Sequence, residues 1–165
     1  MEQKRGRSTI LFEHPPVIRS MASVAGTKEG EGPLGTLFDI VEQDDKMGKE
    51  NWEEAESAIQ EKAARMAITK ADLTENQVDY CFAGDLLGQL IATSFGTGSL
   101  KIPIFGLYGA CSTMGEALGL GAMTVNGGYG KNVLAMASSH FATAEKDSVF
   151  LLLMEISGPN PLHGR

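Results

Sequence analysis

The sequence predicts an α/β fold: a mixed, largely parallel sheet with a buried central helix. Three observations carry this. Short apolar runs alternate with segments of helical period along the chain. The run Asn132-Val133-Leu134-Ala135-Met136-Ala137-Ser138 is apolar at successive positions, as in a strand covered on both faces. Residues 112–125 include Met114, Gly115, Ala117, Leu118, Gly119, Leu120, Gly121, Ala122 and Met123, small or apolar on every side. A helix without a polar face is expected to be buried, and its glycines call for close packing to offset their low helix propensity.

The elements follow in order. Residues 8–12 read as a first strand, closed by His14-Pro15-Pro16, and residues 17–25 as a second, broken at Gly26. Residues 26–35, with Gly30, Gly32 and Pro33, form a loop. Asn51 caps a helix whose first turn carries glutamates. Its apolar stripe is Trp52, Ala55, Ile59, Ala63, Met66 and Ala67. Thr74-Glu75-Asn76-Gln77 fits a capping-box turn, and residues 78–83 form the next strand, ending at Gly84-Asp85. Leu86, Leu87, Leu90, Ile91, Ser94 and Phe95 repeat at helical spacing, with Asp85 as cap. Residues 102–108 are a strand entered through Pro103. The helix over 112–125 follows and stops at Asn126-Gly127-Gly128.

Composition removes several functions. The chain has 165 residues, enough for one domain with a real core, and a net charge of −7. No basic stripe exists to neutralise phosphates, which argues against nucleic acid. The acidic cluster from Glu42 to Glu56 reads as a solvated face. Two cysteines make no disulfide framework, so a reducing compartment is expected. The first residues lack the apolar core of a secretory signal. The apolar run at 149–154 is far too short to cross a bilayer, so any membrane association would be peripheral. No set of His, Cys or carboxylates has metal-ligand spacing. Gly127-Gly128-Tyr129-Gly130-Lys131-Asn132 lacks the Ser/Thr and the preceding strand of a phosphate loop, and Gly96-Thr97-Gly98 lacks the third glycine of a dinucleotide site.

The residues with most chemistry are Gly109-Ala110-Cys111-Ser112-Thr113. They place a thiol where a strand hands over to a helix. There, free N–H groups and the helix dipole would lower the thiol's pKa and favour an oxyanion or a bound carboxylate. Ser112 and Thr113 add hydroxyls that can cap the helix and bind a ligand together. Glu116, one turn in, should be paired or reach a cavity, because an unpaired buried carboxylate is costly. Asp85 is either a helix cap or a pocket-edge residue. His140 follows the strand 132–138 and could share the sheet edge with Cys111, whereas Cys81 is core.

Several of these motifs together resemble the stage V sporulation protein AD (SpoVAD) family. They are Phe12-Glu13-His14-Pro15, Gly32-Pro33-Leu34-Gly35, Asn51-Trp52-Glu53, Ala83-Gly84-Asp85-Leu86-Leu87, Lys101-Ile102-Pro103, Gly109-Ala110-Cys111-Ser112-Thr113 and Ser138-Ser139-His140-Phe141-Ala142-Thr143-Ala144-Glu145. More distantly, Cys111 resembles the nucleophile position of thiolases and ketoacyl synthases.

The resemblance implies a thiolase-like fold of two similar halves, each contributing one central helix, of which this chain supplies the N-terminal half over 1–146. It implies binding of dipicolinic acid, with uptake into the forespore and release in germination. It further implies membrane-bound SpoVA partners, a homodimer of the intact protein, and a place at the cytoplasmic side or periphery of the forespore inner membrane. The ligand would lie near Cys111, Ser112, Thr113, His140 and Asp85. No catalytic residue is expected, Cys111 being the one candidate, because thiolase-like enzymes draw their histidine base from the second half. No cofactor is expected. The alternatives are an acyl-transfer enzyme using Cys111, or an inactive fragment.

After Glu145 the family continues with segments like Gln-Phe-Arg-Phe-Pro and Tyr-Gly-Asn-Gln-Arg-Pro, and this chain does not. Codons allowed for residues 153–159, read one base earlier, can spell the second of these. Residues 147–165 are therefore expected to be a frameshifted tail ending at an early stop, the alternative being a terminal strand or helix turn. Sequencing the coding DNA beyond codon 146 should show an adjacent frame that continues the family; its absence overturns this reading.

Overall fold

A computed structural model describes residues 3–86, 90–139 and 151–157, the last as backbone only. The strands and helices are β1 (Lys4–Arg5), β2 (Thr9–Ile10), β3 (Val17–Ala25), α1 (Thr27–Gly30), β4 (Ile40–Val41), α2 (Trp52–Lys70), β5 (Tyr80–Asp85), α3 (Ile91–Gly98), β6 (Ile104–Gly106), α4 (Thr113–Asn126), β7 (Asn132–Ser138) and β8 (Leu151–Ser157). Six of the strands form one sheet in the order β4-β3-β8-β7-β5-β6. β7, β5 and β6 run parallel, as do β3 and β4, while β8 runs antiparallel between β3 and β7. The mixed, largely parallel sheet of the sequence reading is thus observed.

Period-two alternation sorts the core onto two faces. Cys81 and Ala83 of β5 and Leu134 and Met136 of β7 join Ile59, Ala63, Ala67 and Ile68 of α2. The residues between them, Phe82, Val133 and Ala135, point the other way, against Ala117 and Val125 of α4. Helix α2 forms for the reasons expected: Asn51 Oδ1 accepts the Glu54 N–H at 2.9 Å, and Glu53 and Glu54 fill the first turn. The capping-box turn is also present, with the Thr74 N–H donating to Gln77 Oε1 at 2.8 Å.

Several boundaries move. Residues 8–12 shrink to β2, which pairs only with β1 outside the main sheet. The loop at 26–35 holds the short α1, and β4 was not foreseen. Strand β6 keeps only three of the seven residues expected at 102–108 and forms the sheet's edge. Helix α3 begins at Ile91, six residues after Asp85 rather than directly behind it. Its Ile91 and Phe95 are exposed, while Ala92, Thr93, Gly96 and Thr97 face α2. Small residues win that face because the helices nearly touch: a Cβ on Gly96 would lie 2.7 Å from the Ser57 carbonyl oxygen.

The central helix also departs from expectation. α4 buries Thr113, Ala117, Gly121 and Val125, a stripe at four-residue spacing, against the sheet. Its other side, with Gly115, Leu120 and Met123, is exposed among the described residues. Apolarity on all sides demands two covering surfaces, and the sheet provides one. With Ile104, Phe105 and Tyr129, this side lines a groove of about 750 Å³ along α4 and β6.

Residues 147–150 and 158–165 of the expected tail lie outside the described residues, and 151–157 form β8. Among the described residues, no helix is long and apolar enough to cross a membrane.

Gly84 tests the packing most sharply. A Cβ there would fall 2.2 Å from the Leu107 carbonyl oxygen and 2.8 Å from Thr113 Cγ2. Gly84→Ala should lower stability by about 3 kcal/mol in chemical denaturation. Gly119→Ala meets nothing within 4 Å and should raise stability by about 0.5–1 kcal/mol.

Candidate functional site

Strand β6 ends at Gly106, and the Leu107 N–H donates to the Ala83 carbonyl at 2.8 Å, holding the exit of β6 against β5. A single 3-10 turn, Ala110–Ser112, then leads into α4. Ala110 sits at φ 47°, a left-handed conformation for a residue with a Cβ, which costs roughly 1–2 kcal/mol. The strained residue directly precedes Cys111, whose side chain is exposed. Strain held beside a nucleophilic side chain is a mark of a functional turn.

The turn is tied down at its base. The Ser112 N–H donates to the Gly109 carbonyl at 3.0 Å, and the single proton of its hydroxyl is shared between that carbonyl, at 2.8 Å, and the Glu116 carboxylate. The same hydroxyl reaches Glu116, whose carboxylate lies so close that a Cβ on Gly109 would collide with it. Glu116 is therefore exposed and hydrogen-bonded rather than buried. Thr113, the first residue of α4, is 2 % exposed, and its hydroxyl oxygen has no hydrogen-bond partner among the described residues. The structure thus brings Cys111, Ser112 and Thr113 together at the leading end of a 14-residue helix.

Asp85 lies elsewhere on the same edge of the sheet, in register with Ser138. Its carboxylate accepts the Leu90 N–H at 3.1 Å, the Thr93 N–H at 3.0 Å and the Thr93 hydroxyl at 2.7 Å. Asp85 thus satisfies N–H groups at the start of α3, but the N-cap position itself is Leu90, not Asp85 as expected. His140 lies outside the described residues. Cys81 is fully buried, and burial pushes its thiol up to about 12, so of the two cysteines Cys111 is the one open to solvent.

Sequence reasoning missed a buried polar chain beside Asp85. Ser138 Oγ donates to Glu56 Oε1 and accepts from Gln60 Nε2, both at 2.5 Å, and Gln60 Nε2 also donates to Thr93 Oγ1 at 3.2 Å. Glu56 is 4 % exposed, and burial raises its carboxyl to about 7 against the pull of the Ser138 hydrogen bond, with Asp85 and Glu53 adding repulsion. Helical periodicity held a signal: Glu56 and Gln60 lie four apart, on the same side of α2 as Ala63 and Ala67.

A group raised in the folded state stabilises fully below its free value and loses that stabilisation as pH climbs through the folded one. Wild-type stability should therefore fall between pH 4.5 and 7. Glu56→Gln should remove that slope, its advantage over wild type growing to roughly 3 kcal/mol at pH 8. Denaturation midpoints across pH check this.

Comparison with known proteins bears on this geometry. The family model described as Stage V sporulation protein AD (SpoVAD) matches residues 6–158. Stage V sporulation protein AD of Bacillus subtilis (strain 168) is 40% identical over 156 residues, covering 94% of this chain and 46% of that protein. The chain thus spans about half the length of the curated relative it matches. Among solved structures, the priming β-ketosynthase of the R1128 polyketide pathway superposes with a TM-score of 0.62 at 15% identity, over 94% of this chain and 53% of the other. MvaS in complex with 3-hydroxy-3-methylglutaryl coenzyme A gives 0.60 at 15% identity, over 88% and 40%. 3-Oxoacyl-[acyl-carrier-protein] synthase III from Aquifex aeolicus VF5 gives 0.57 at 16%, over 86% and 53%. At such identities the likeness concerns the fold.

Proposed function

The chain belongs to the SpoVAD family, and from that premise we propose that it forms part of a non-enzymatic dipicolinate-binding site serving sporulation. The observation that carries this is the Cys111-Ser112-Thr113 turn at the head of α4. A helix start presents a partial positive charge to an anion, and the Ser112 hydroxyl supplements it, while the Ser112 and Thr113 N–H groups are taken by the Gly109 and Ala110 carbonyls. One of dipicolinate's two carboxylates fits there.

The same reading extends to uptake of dipicolinate into the forespore and its release in germination, with membrane-bound SpoVA proteins as partners. It places the protein at the periphery of the forespore inner membrane and makes the intact protein a homodimer. The open side of α4 supports a site completed by a second, similar half, as the resemblance implies.

Acyl transfer through Cys111 is the second reading, favoured by the strained Ala110 beside an exposed thiol. One experiment separates the two. Calorimetry should show dipicolinate binding, and bound dipicolinate should slow alkylation of Cys111 by iodoacetamide at least several-fold. An acyl-thioester substrate should leave no covalent adduct on Cys111. Stable acylation without dipicolinate protection would overturn the binding reading in favour of the enzyme.

A further inference from the structure

Helix α3 is fastened by hydrogen bonds more than by apolar contact. Its large residues Ile91 and Phe95 are 51 % and 75 % exposed, and its inner side offers only Ala92, Thr93, Gly96 and Thr97. So small a face buries little apolar area. The fastening is polar instead. Asp85 takes the Leu90 N–H and both the N–H and the hydroxyl of Thr93, and Gln60 Nε2 donates to Thr93 Oγ1. The Ser57 hydroxyl divides its proton between the Glu53 and Ala92 carbonyls, at 2.7 and 3.0 Å.

This fastening is one end of a chain with an acid at each terminus. The Gln60 amide gives one proton to the Ser138 hydroxyl and the other to that of Thr93, and these give theirs to Glu56 and Asp85. Both acids are buried, and among the described residues no cation faces them. Glu53 on its own helix and Asp85 on β5 repel Glu56, while α3 and β7 carry no charged residue. Glu155 of β8 stands in register with Leu134, and Arg19, the one charge on β3, is exposed. Lys49, in the loop before α2, acts on Glu61. Two enclosed carboxylates without a cation do not both ionise in place. Gln60 Oε1 adds to the tension: it has no partner among the described residues and lies under Gly96, 3.1 Å from where a Cβ would stand.

We propose that α3 is a proton-controlled flap, seated while Glu56 holds a proton and parted from α2 when Glu56 ionises. Parting hydrates Asp85 and Gln60, which α3 covers, and admits water beside the charged Glu56. The opening is local because the other elements around Glu56 are locked. α2 carries Ile59 and Ile68 into the core, and β7 is paired on both sides, by β5 and β8. The flap is independent of the dipicolinate reading. Burial raises the Glu56 carboxyl to about 7. A group raised in the seated form holds α3 fully below its free value and lets go as pH climbs through the raised one.

Native-state hydrogen exchange of the full chain tests this. Protection of the Thr93 and Ser94 amides is compared with that of Cys81, Phe82, Leu134 and Ala135 in the sheet, each corrected for its intrinsic rate at that pH. The α3 amides should exchange at least about 10-fold faster than those of the sheet, which marks a separate opening. Their protection should fall about 10–30-fold between pH 5.5 and 8. Glu56→Gln keeps an acceptor for Ser138 without the charge and should flatten that fall. Exchange of α3 in step with the sheet overturns the flap, because only global unfolding then releases the helix. So does a separate opening that ignores pH in wild type, or a fall that persists in the glutamine variant. The wild-type profile decides the first two of these without the variant.

Discussion

The contact on which the site depends is the near-collision at Gly84. The penultimate residue of β5 lets the Leu107 carbonyl and the Thr113 side chain come against the sheet with no side chain between them. That closeness brings the exit of β6 and the start of α4 onto the same strand. The turn between them then has few residues to reverse direction, and Ala110 adopts a left-handed conformation to do so. Cys111, Ser112 and Thr113 stand at the helix head because the backbone beneath them lacks a Cβ.

Much of the fold was legible because the residues that decide it act locally. The Asn51 cap, the Thr74 turn, and strands β3 and β7 have the bounds or contacts their sequences suggest. What escaped was decided by distant partners. α3 turns its small residues inward, because a large one could not approach Ser57 and Gln60 so closely. Of the periodic set, only Ile91 and Phe95 are large residues within α3, and they mark its outer face. The shrinkage of β6 follows from its place at the sheet's edge, where only β5 fixes its backbone. Within the candidate site, the Cys-Ser-Thr run was readable from the strand-to-helix handover. The Glu56–Ser138–Gln60 chain joins residues about eighty positions apart; periodicity could have turned Glu56 and Gln60 inward but not named Ser138 as their partner.

Two carboxylates illustrate how position changes chemistry. Glu56 is enclosed between α2 and β7, and removal from water favours its neutral form. Glu116 lies at the surface, in reach of the Ser112 hydroxyl. Sequence reasoning expected Glu116 to be paired or to reach a cavity, and it is paired with the Ser112 hydroxyl. The acidic face around Glu56, by contrast, was expected to be solvated and hid a residue turned inward.

The antiparallel strand β8 separates β3 from β7 in the middle of the sheet. Among the described residues nearer to β3 in sequence, only the two-residue β4 pairs with it. While the polypeptide emerges from the ribosome, β5, β6 and β7 can zip together, but β3 must wait for a segment more than one hundred residues downstream. Assembly of this sheet is consequently a late event, slowed by the entropy of closing so long a loop. Until then the early strand is an exposed edge that a nascent chain must keep from foreign partners.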